Sequence, residues 1–168
     1  MPQSEQQLET TLINQLVRLG FSSIVLADTG ALMQNLNAQL EAFNTTKFSD
    51  TEFDRIVNHL NKGDRFAKAK TLRDRFVLHR DDDTTTFVRF FNMEHWCQNE
   101  YQVVQQITQV GRYENRYDVT LLVNGLPLVQ IELKRRGVEL KEAFNQINRY
   151  HKHSFTGTLF EYVQVFVI

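Results

Sequence analysis

Thirty-three consecutive residues, Asp118 to Tyr150, constrain this chain more tightly than any other stretch. Two runs rich in Val, Leu and Ile flank Asn124-Gly125, a pair suited to the positive φ of a tight hairpin turn. Side chains alternate along a strand, so Gln130, Glu132 and Lys134 share one face of the return run, and Val129, Ile131 and Leu133 the other. With both rows covered, Glu132 and Lys134 lie in a partly dry place, where charge must be paired, hydrated or bound to a metal. Asp118 opens the first run, and the hairpin returns Glu132 to its neighbourhood. The pattern is an Asp, thirteen residues, then Glu-x-Lys.

Each residue type suits one task in phosphodiester hydrolysis. Two neighbouring carboxylates repel each other, and a hard divalent cation such as Mg2+ relieves that repulsion through oxygen ligands. A bound metal lowers the pKa of a water and neutralises charge on a phosphodiester. The ammonium of Lys134 on the same face would orient the water or stabilise the transition state. A cross-strand salt bridge or a solvated strand edge accounts for Glu-x-Lys equally well, so spacing alone leaves both readings open. The segment after Gly137 reads as a helix, with Val138, Ala143, Phe144 and Ile147 as its apolar stripe. Gln146 and Tyr150, four apart, stack on one face of it. From Lys134 to Lys152 there are six basic residues against two acidic ones.

The run NRYDVTLLVNGLPLVQIELKRRGVELKEAFNQINRYHKHSF resembles the nuclease domain of the restriction (R) subunit of type I restriction–modification enzymes. The resemblance rests on three linked features: the Asp before the hairpin, Gln-x-Glu-x-Lys on the return strand, and Gln-x3-Tyr on the next helix. SEQQLETTLINQL, TLRDRFV and NEYQVVQQI match the family in order, so the likeness spans nearly the whole chain. It implies an α/β fold of the PD-(D/E)xK restriction-endonuclease-like type, a mixed central sheet flanked by helices, cutting double-stranded DNA with Mg2+. By position, Asp118 and Glu132 would be metal ligands and Lys134 the catalytic lysine, with Gln130, Gln146 and Tyr150 supporting them. An acidic residue on the first helix often completes the metal shell in that fold; Glu9 is the candidate, with Glu5 one turn earlier as the alternative. Asn115-Arg116-Tyr117 precedes the Asp, so the Pro of the motif's name is absent. The family also implies partners, a methyltransferase (M) and a specificity (S) subunit, and an ATP-dependent DNA translocase downstream on the same chain.

The rest of the chain adds scaffold and exclusions. At 168 residues, 42% hydrophobic with 13 Phe, it suits one domain with an ample core. The formal net charge is −1, so any DNA contact must be local. Arg116, Arg135, Arg136, Arg149 and Lys152 are the candidates for the phosphate backbone, with Arg112 a further one. A single Cys97 allows no internal disulfide and suits a reducing cytoplasm. No apolar run reaches membrane-spanning length, and no signal-peptide pattern opens the chain. No Gly-x4-Gly-Lys-Ser/Thr loop occurs, so ATP would act only through a motor outside this sequence.

A capped helix is expected from Ser4 to Leu19, with Leu8, Leu12, Ile13 and Leu16 inward. A short strand over 21–27, a helix over 31–43, and a helix opened by the capping box Ser49-to-Glu52 follow. Strands are expected at 72–80, 84–91 and 101–110, with Asp81-Asp82-Asp83 as a charged hairpin tip rather than a calcium loop. His151 and His153 read as part of a basic helix end, not a zinc site. The apolar ending EYVQVFVI looks like an unfinished strand, the mark of a fragment of a longer chain. Two other readings share the fold: a non-catalytic DNA clamp or docking module, and a repair or recombination nuclease.

Overall fold

The structure is a computed structural model that describes residues 4–110, 114–134, 145 and 158–168. The elements run α1 (Glu5–Arg18), β1 (Ser22–Ile24), α2 (Thr29–Asn44), α3 (Asp50–Leu60), α4 (Arg65–Thr71), β2 (Arg75–His79), β3 (Thr85–Arg89), β4 (Tyr101–Val110), β5 (Glu114–Val123), β6 (Leu126–Ile131) and β7 (Val165–Val167). Single 3-10 turns lie at Trp96–Gln98 and Leu159–Tyr162. Among the described residues the central sheet has the order β1-β4-β5-β6-β7, and β2 pairs with β3 in a separate hairpin. The three middle strands are antiparallel, whereas β1 joins β4 and β7 joins β6 in parallel. This is the mixed sheet that the sequence leads one to expect.

Both faces of the sheet are covered. On one, Leu12, Ile13 and Leu16 of α1 pack on Val103, Val119 and Ile131, with Val129 and Leu133 beside them. On the other, Leu32, Leu36 and Leu40 of α2 and Ile56 and Leu60 of α3 join Val104, Leu122, Leu126, Phe160 and Tyr162 in the main core. The helices start where local chemistry supplies donors with partners. Ser4 and Gln7 form a capping box on α1, as Ser49 and Glu52 do on α3, and Asp28 caps α2 through the Ala31 amide. Glu52 is buried and paired with Arg80 at 3.0 Å, which ties α3 to the end of β2. The seven-residue α4 has no counterpart in the sequence reading, because so short a helix carries too few turns to show an apolar stripe.

The central hairpin is anchored at its turn. Asn124 and Gly125 both have positive φ, 48° and 83°, as a two-residue turn of this kind requires. The turn is buried. Asn124 Nδ2 donates to the Phe90 carbonyl at 2.8 Å and to Asn99 Oδ1 at 2.9 Å, and its Oδ1 accepts from the Glu100 amide at 2.8 Å. Gly125 lies against α2, where an added Cβ would come within 2.8 Å of the Leu36 Cα.

One irregularity sets the register. Val123 faces Leu126 and Leu122 faces Pro127, but Leu121 faces Val129, so Leu128 is an extra residue on β6. Pro127 has no amide hydrogen to give the ladder, and a bulge is where such a residue is tolerated. Beyond the bulge Thr120 faces Gln130 and Val119 faces Ile131. One further step in that register sets Asp118 opposite Glu132.

Candidate functional site

Asp118, Glu132 and Lys134 meet at the end of the hairpin away from the turn. Glu132 follows the last residue of β6, its amide held by the Val167 carbonyl of β7 at 2.9 Å. Its side chain is 1% exposed. Oε1 accepts from Lys134 Nζ at 3.0 Å, while Oε2 is buried with no hydrogen-bond partner among the described residues. Across the ladder, Asp118 Oδ2 accepts from the Leu133 amide at 2.8 Å. The bland possibility, an acid neutralised by an ordinary ion pair, accounts for one of the two Glu132 oxygens and leaves the other unsatisfied.

The electrostatics follow from this crowding. Burial, then the nearby charge of Asp118, pushes the Glu132 carboxyl up to about 7 despite its bond to Lys134. Burial also raises Asp118, opposed by the Leu133 amide and Lys134, with the charges of Glu9 and Glu5 adding to the rise. Burial alone would lower Lys134, but the Glu132 hydrogen bond and the charges of Glu132, Asp118 and Glu5 outweigh it and raise the ammonium.

Helix α1 brings a further acid to the same face. Glu9 is 5% exposed, and its Oε2 accepts from Gln105 Nε2 at 2.6 Å and Gln106 Nε2 at 2.9 Å. Adjacent residues of a strand normally point to opposite faces. Here Gln106 takes φ 59° in mid-strand, so both amides turn to α1. The strand then changes phase: Val103 belongs to the α1-side cluster, whereas Ile107, four residues on, belongs to the main core. Its neighbour β5 shifts at the same level, with Val119 under α1 and Tyr117 in the main core. Asp118 lies between them, at the point where the two cores exchange sides.

The two α1 acids differ. Glu9 spends an oxygen on two amides and acts on Asp118, whereas Glu5, one turn earlier, acts on Asp118, Glu132 and Lys134 together. Among the described residues no set of three or more acids, histidines or cysteines is arranged to hold a metal ion. The fit to a divalent ion therefore rests on two carboxylates, Asp118 and Glu132, and on the orphaned Glu132 Oε2. An oxygen-only donor pair with a buried, unsatisfied member suits a hard cation.

The supporting residues divide. Gln130 is buried and accepts from Thr120 Oγ1 at 2.9 Å, which locks β5 to β6 just inside the acids. Arg116 is exposed on β5. Gln146, Tyr150, Arg135, Arg136, Arg149 and Lys152 lie outside the described residues, as do Arg112, His151 and His153. Gln105 and Gln106 were not anticipated from sequence. The two successive polar residues inside YQVVQQITQV interrupt the alternation but do not say which face either one takes.

Comparison with known proteins gives a concordant result. The family profile described as type I restriction enzyme R protein N terminus matches residues 2–168. The chain is 42% identical over 171 residues to the type I restriction enzyme SauMSSORF170P endonuclease subunit of Staphylococcus aureus (strain MSSA476), covering 99% of the chain and 18% of that protein. It is 42% identical over 174 residues to the type I restriction enzyme EcoprrI endonuclease subunit of Escherichia coli, covering 99% of the chain and 56% of that protein. A shorter match of 92 residues, 44% identical, covers 53% of the chain and 9% of the putative type I restriction enzyme MjaVIIIP endonuclease subunit of Methanocaldococcus jannaschii. The chain thus spans under a fifth of the length of the staphylococcal relative. A mixed sheet flanked by helices, acids paired across its central hairpin and a profile match from end to end agree: the chain belongs to the family of type I restriction enzyme R protein N termini.

Proposed function

We propose that this chain is a Mg2+-dependent endonuclease domain of the PD-(D/E)xK type, hydrolysing phosphodiester bonds of unmodified double-stranded DNA. The observation that carries the reading is the buried Glu132 Oε2, without a partner among the described residues, on a carboxyl that feels the charge of Asp118. A divalent ion held by Asp118 and Glu132 would supply charge neutralisation at the phosphate and a more acidic water. The chain's own residues do the rest. The Leu133 amide fixes one Asp118 oxygen, so the other is directed by the backbone rather than by a mobile partner. Lys134 keeps an ammonium beside Glu132 and offers it to a scissile phosphate or attacking water. Glu5 and Glu9 add negative charge from α1 and favour cation binding. Gln146 and Tyr150 are assigned to positioning the site, and Arg116, Arg135, Arg136, Arg149 and Lys152 to the DNA backbone.

The family resemblance supports the rest of the proposal: the domain works beside methyltransferase and specificity subunits, with an ATP-driven motor outside this sequence, in the cytoplasm. No helix among the described residues is long and apolar enough to cross a membrane, and Cys97 is a free, exposed thiol that suits a reducing compartment. Asp118→Ala, Glu132→Ala and Lys134→Ala should each lower DNA cleavage by the assembled enzyme by at least about 100-fold while ATP hydrolysis continues. Cleavage by all three variants at the parent rate would remove the hydrolytic reading. The clamp reading predicts binding without divalent-dependent cutting, which the parent enzyme tests directly.

A further inference from the structure

A second polar cleft lies at the other end of the central hairpin, apart from the acids. Its volume is about 320 Å³, and Arg73, Arg75, Arg89 and His95 line it. Arg75 and Arg89 are direct cross-strand partners in the β2–β3 pair. Like charges in that position oppose strand pairing. None of the three arginines has an ion pair among the described residues, although Arg55, Arg80, Lys47, Lys68 and Lys134 all do. Arg89 is also held in place. Asn44 bonds its backbone amide at 2.8 Å and its carbonyl at 2.9 Å, and its guanidinium lies 5.6 Å from the Phe43 ring centroid. The cleft is rigidly joined to the central sheet, because the Asn92 amide bonds Asn99 Oδ1, which in turn accepts from Asn124 in the hairpin turn. Asp74 and Glu94 also line it, so three arginines stand against two acids and the cleft keeps a net positive charge.

We infer that this cleft is a second phosphate-backbone site, through which the β2–β3 hairpin grips duplex DNA at a distance from the cut. The inference rests on the reading of the chain as a DNA-acting domain and adds a foothold that reading does not contain. Paired arginines with fixed backbones match the geometry of phosphate oxygens, and the repulsion between them is relieved when an anion lies across both. From Asn124 to Asp118 is six residues of strand, roughly 20 Å, about the rise of six base pairs. One duplex is therefore long enough to touch both places.

The test uses a fluorescein-labelled duplex of about 30 base pairs and fluorescence anisotropy across a salt series. Arg75→Ala/Arg89→Ala should weaken binding about tenfold and flatten the slope of log K against log salt by roughly 0.9 for each phosphate that is no longer neutralised. Arg18→Ala/Lys62→Ala removes the same formal charge elsewhere on the surface and should leave the slope near the parent value. The hairpin variant should also unfold at a higher temperature than the parent, since it sheds a repulsive pair. A merely structural role would lower that temperature. Equal slopes for the two double variants, or an unchanged slope with weakened binding to a protein subunit instead, would overturn the inference while leaving cleavage at Asp118 and Glu132 intact. A parent chain that binds no duplex at any salt would overturn this inference and leave the hydrolytic reading to the cleavage test on the assembled enzyme.

Discussion

Glu132 shows how a single side chain reports its surroundings. Its carboxyl, raised from 4.5 to about 7 in the fold, keeps a proton between those values that the unfolded chain has released. The stabilising effect of this group is thus complete below about 4.5 and lost as pH rises through about 7. Glu132→Gln should therefore be more stable than the parent near pH 8, by on the order of 1–3 kcal/mol, and match it near pH 4. Urea unfolding at the two pH values checks this, and a difference independent of pH would show that the acid carries no burial penalty. Added Mg2+ should narrow the gap near pH 8 by stabilising the parent alone. The trio Asp118, Glu132 and Lys134 was legible in sequence because strand alternation and a recognisable turn fix who faces whom. Gln105 and Gln106 were not, since a left-handed residue in mid-strand suspends the alternation on which such reasoning depends. The choice between Glu5 and Glu9 was equally closed to sequence, because both sit on one helical face and only their partners separate them.

Among the elements, the long strands and capped helices emerged where expected: β4 over Tyr101–Val110, and α3 behind its Ser49–Glu52 capping box. Strand β5 begins at Glu114, four residues before the expected run, because its first residues pair with the end of β4 and not with β6. Pairing partners are a property of tertiary structure, which local pattern does not encode. The same holds for the turn at Asn124-Gly125, whose type was readable but whose burial against α2 was not. Gly125→Ala must place a Cβ against the Leu36 backbone at a residue of φ 83°. It should cost about 2–4 kcal/mol, measured by denaturant unfolding, against less than about 1 kcal/mol expected of a Gly→Ala change at an open turn. A neutral result would mean that the turn and α2 do not touch.

At the scale of the molecule, the last described segment closes the core. Phe160 and Tyr162 are fully buried, Phe160 packs on Tyr117 with ring centroids 4.6 Å apart, and the Tyr162 hydroxyl donates to the Leu60 carbonyl at 2.6 Å. The buried Lys68 is paired with Glu161 and lies under the Tyr162 ring, so the same turn holds α4 in place. Tyr162→Phe should cost about 1–2 kcal/mol, and Phe160→Ala about 3–5 kcal/mol, by thermal or urea unfolding. Losses of similar size for both would show that the hydroxyl matters as much as the ring. The apolar ending read from sequence as a strand forms one, β7, which pairs with β6 and holds the Glu132 amide. The extra residue Leu128 has a wider implication. Because one arm of the hairpin is a residue longer than the other, the confrontation of the two acids depends on keeping that one-residue difference. A residue inserted into one arm alone, between the turn and its acid, would slide Asp118 past Glu132, and one residue in each arm would keep them opposed but turn both to the other face of the sheet. In this architecture the hairpin can lengthen and keep its chemistry only by two residues in each arm at once.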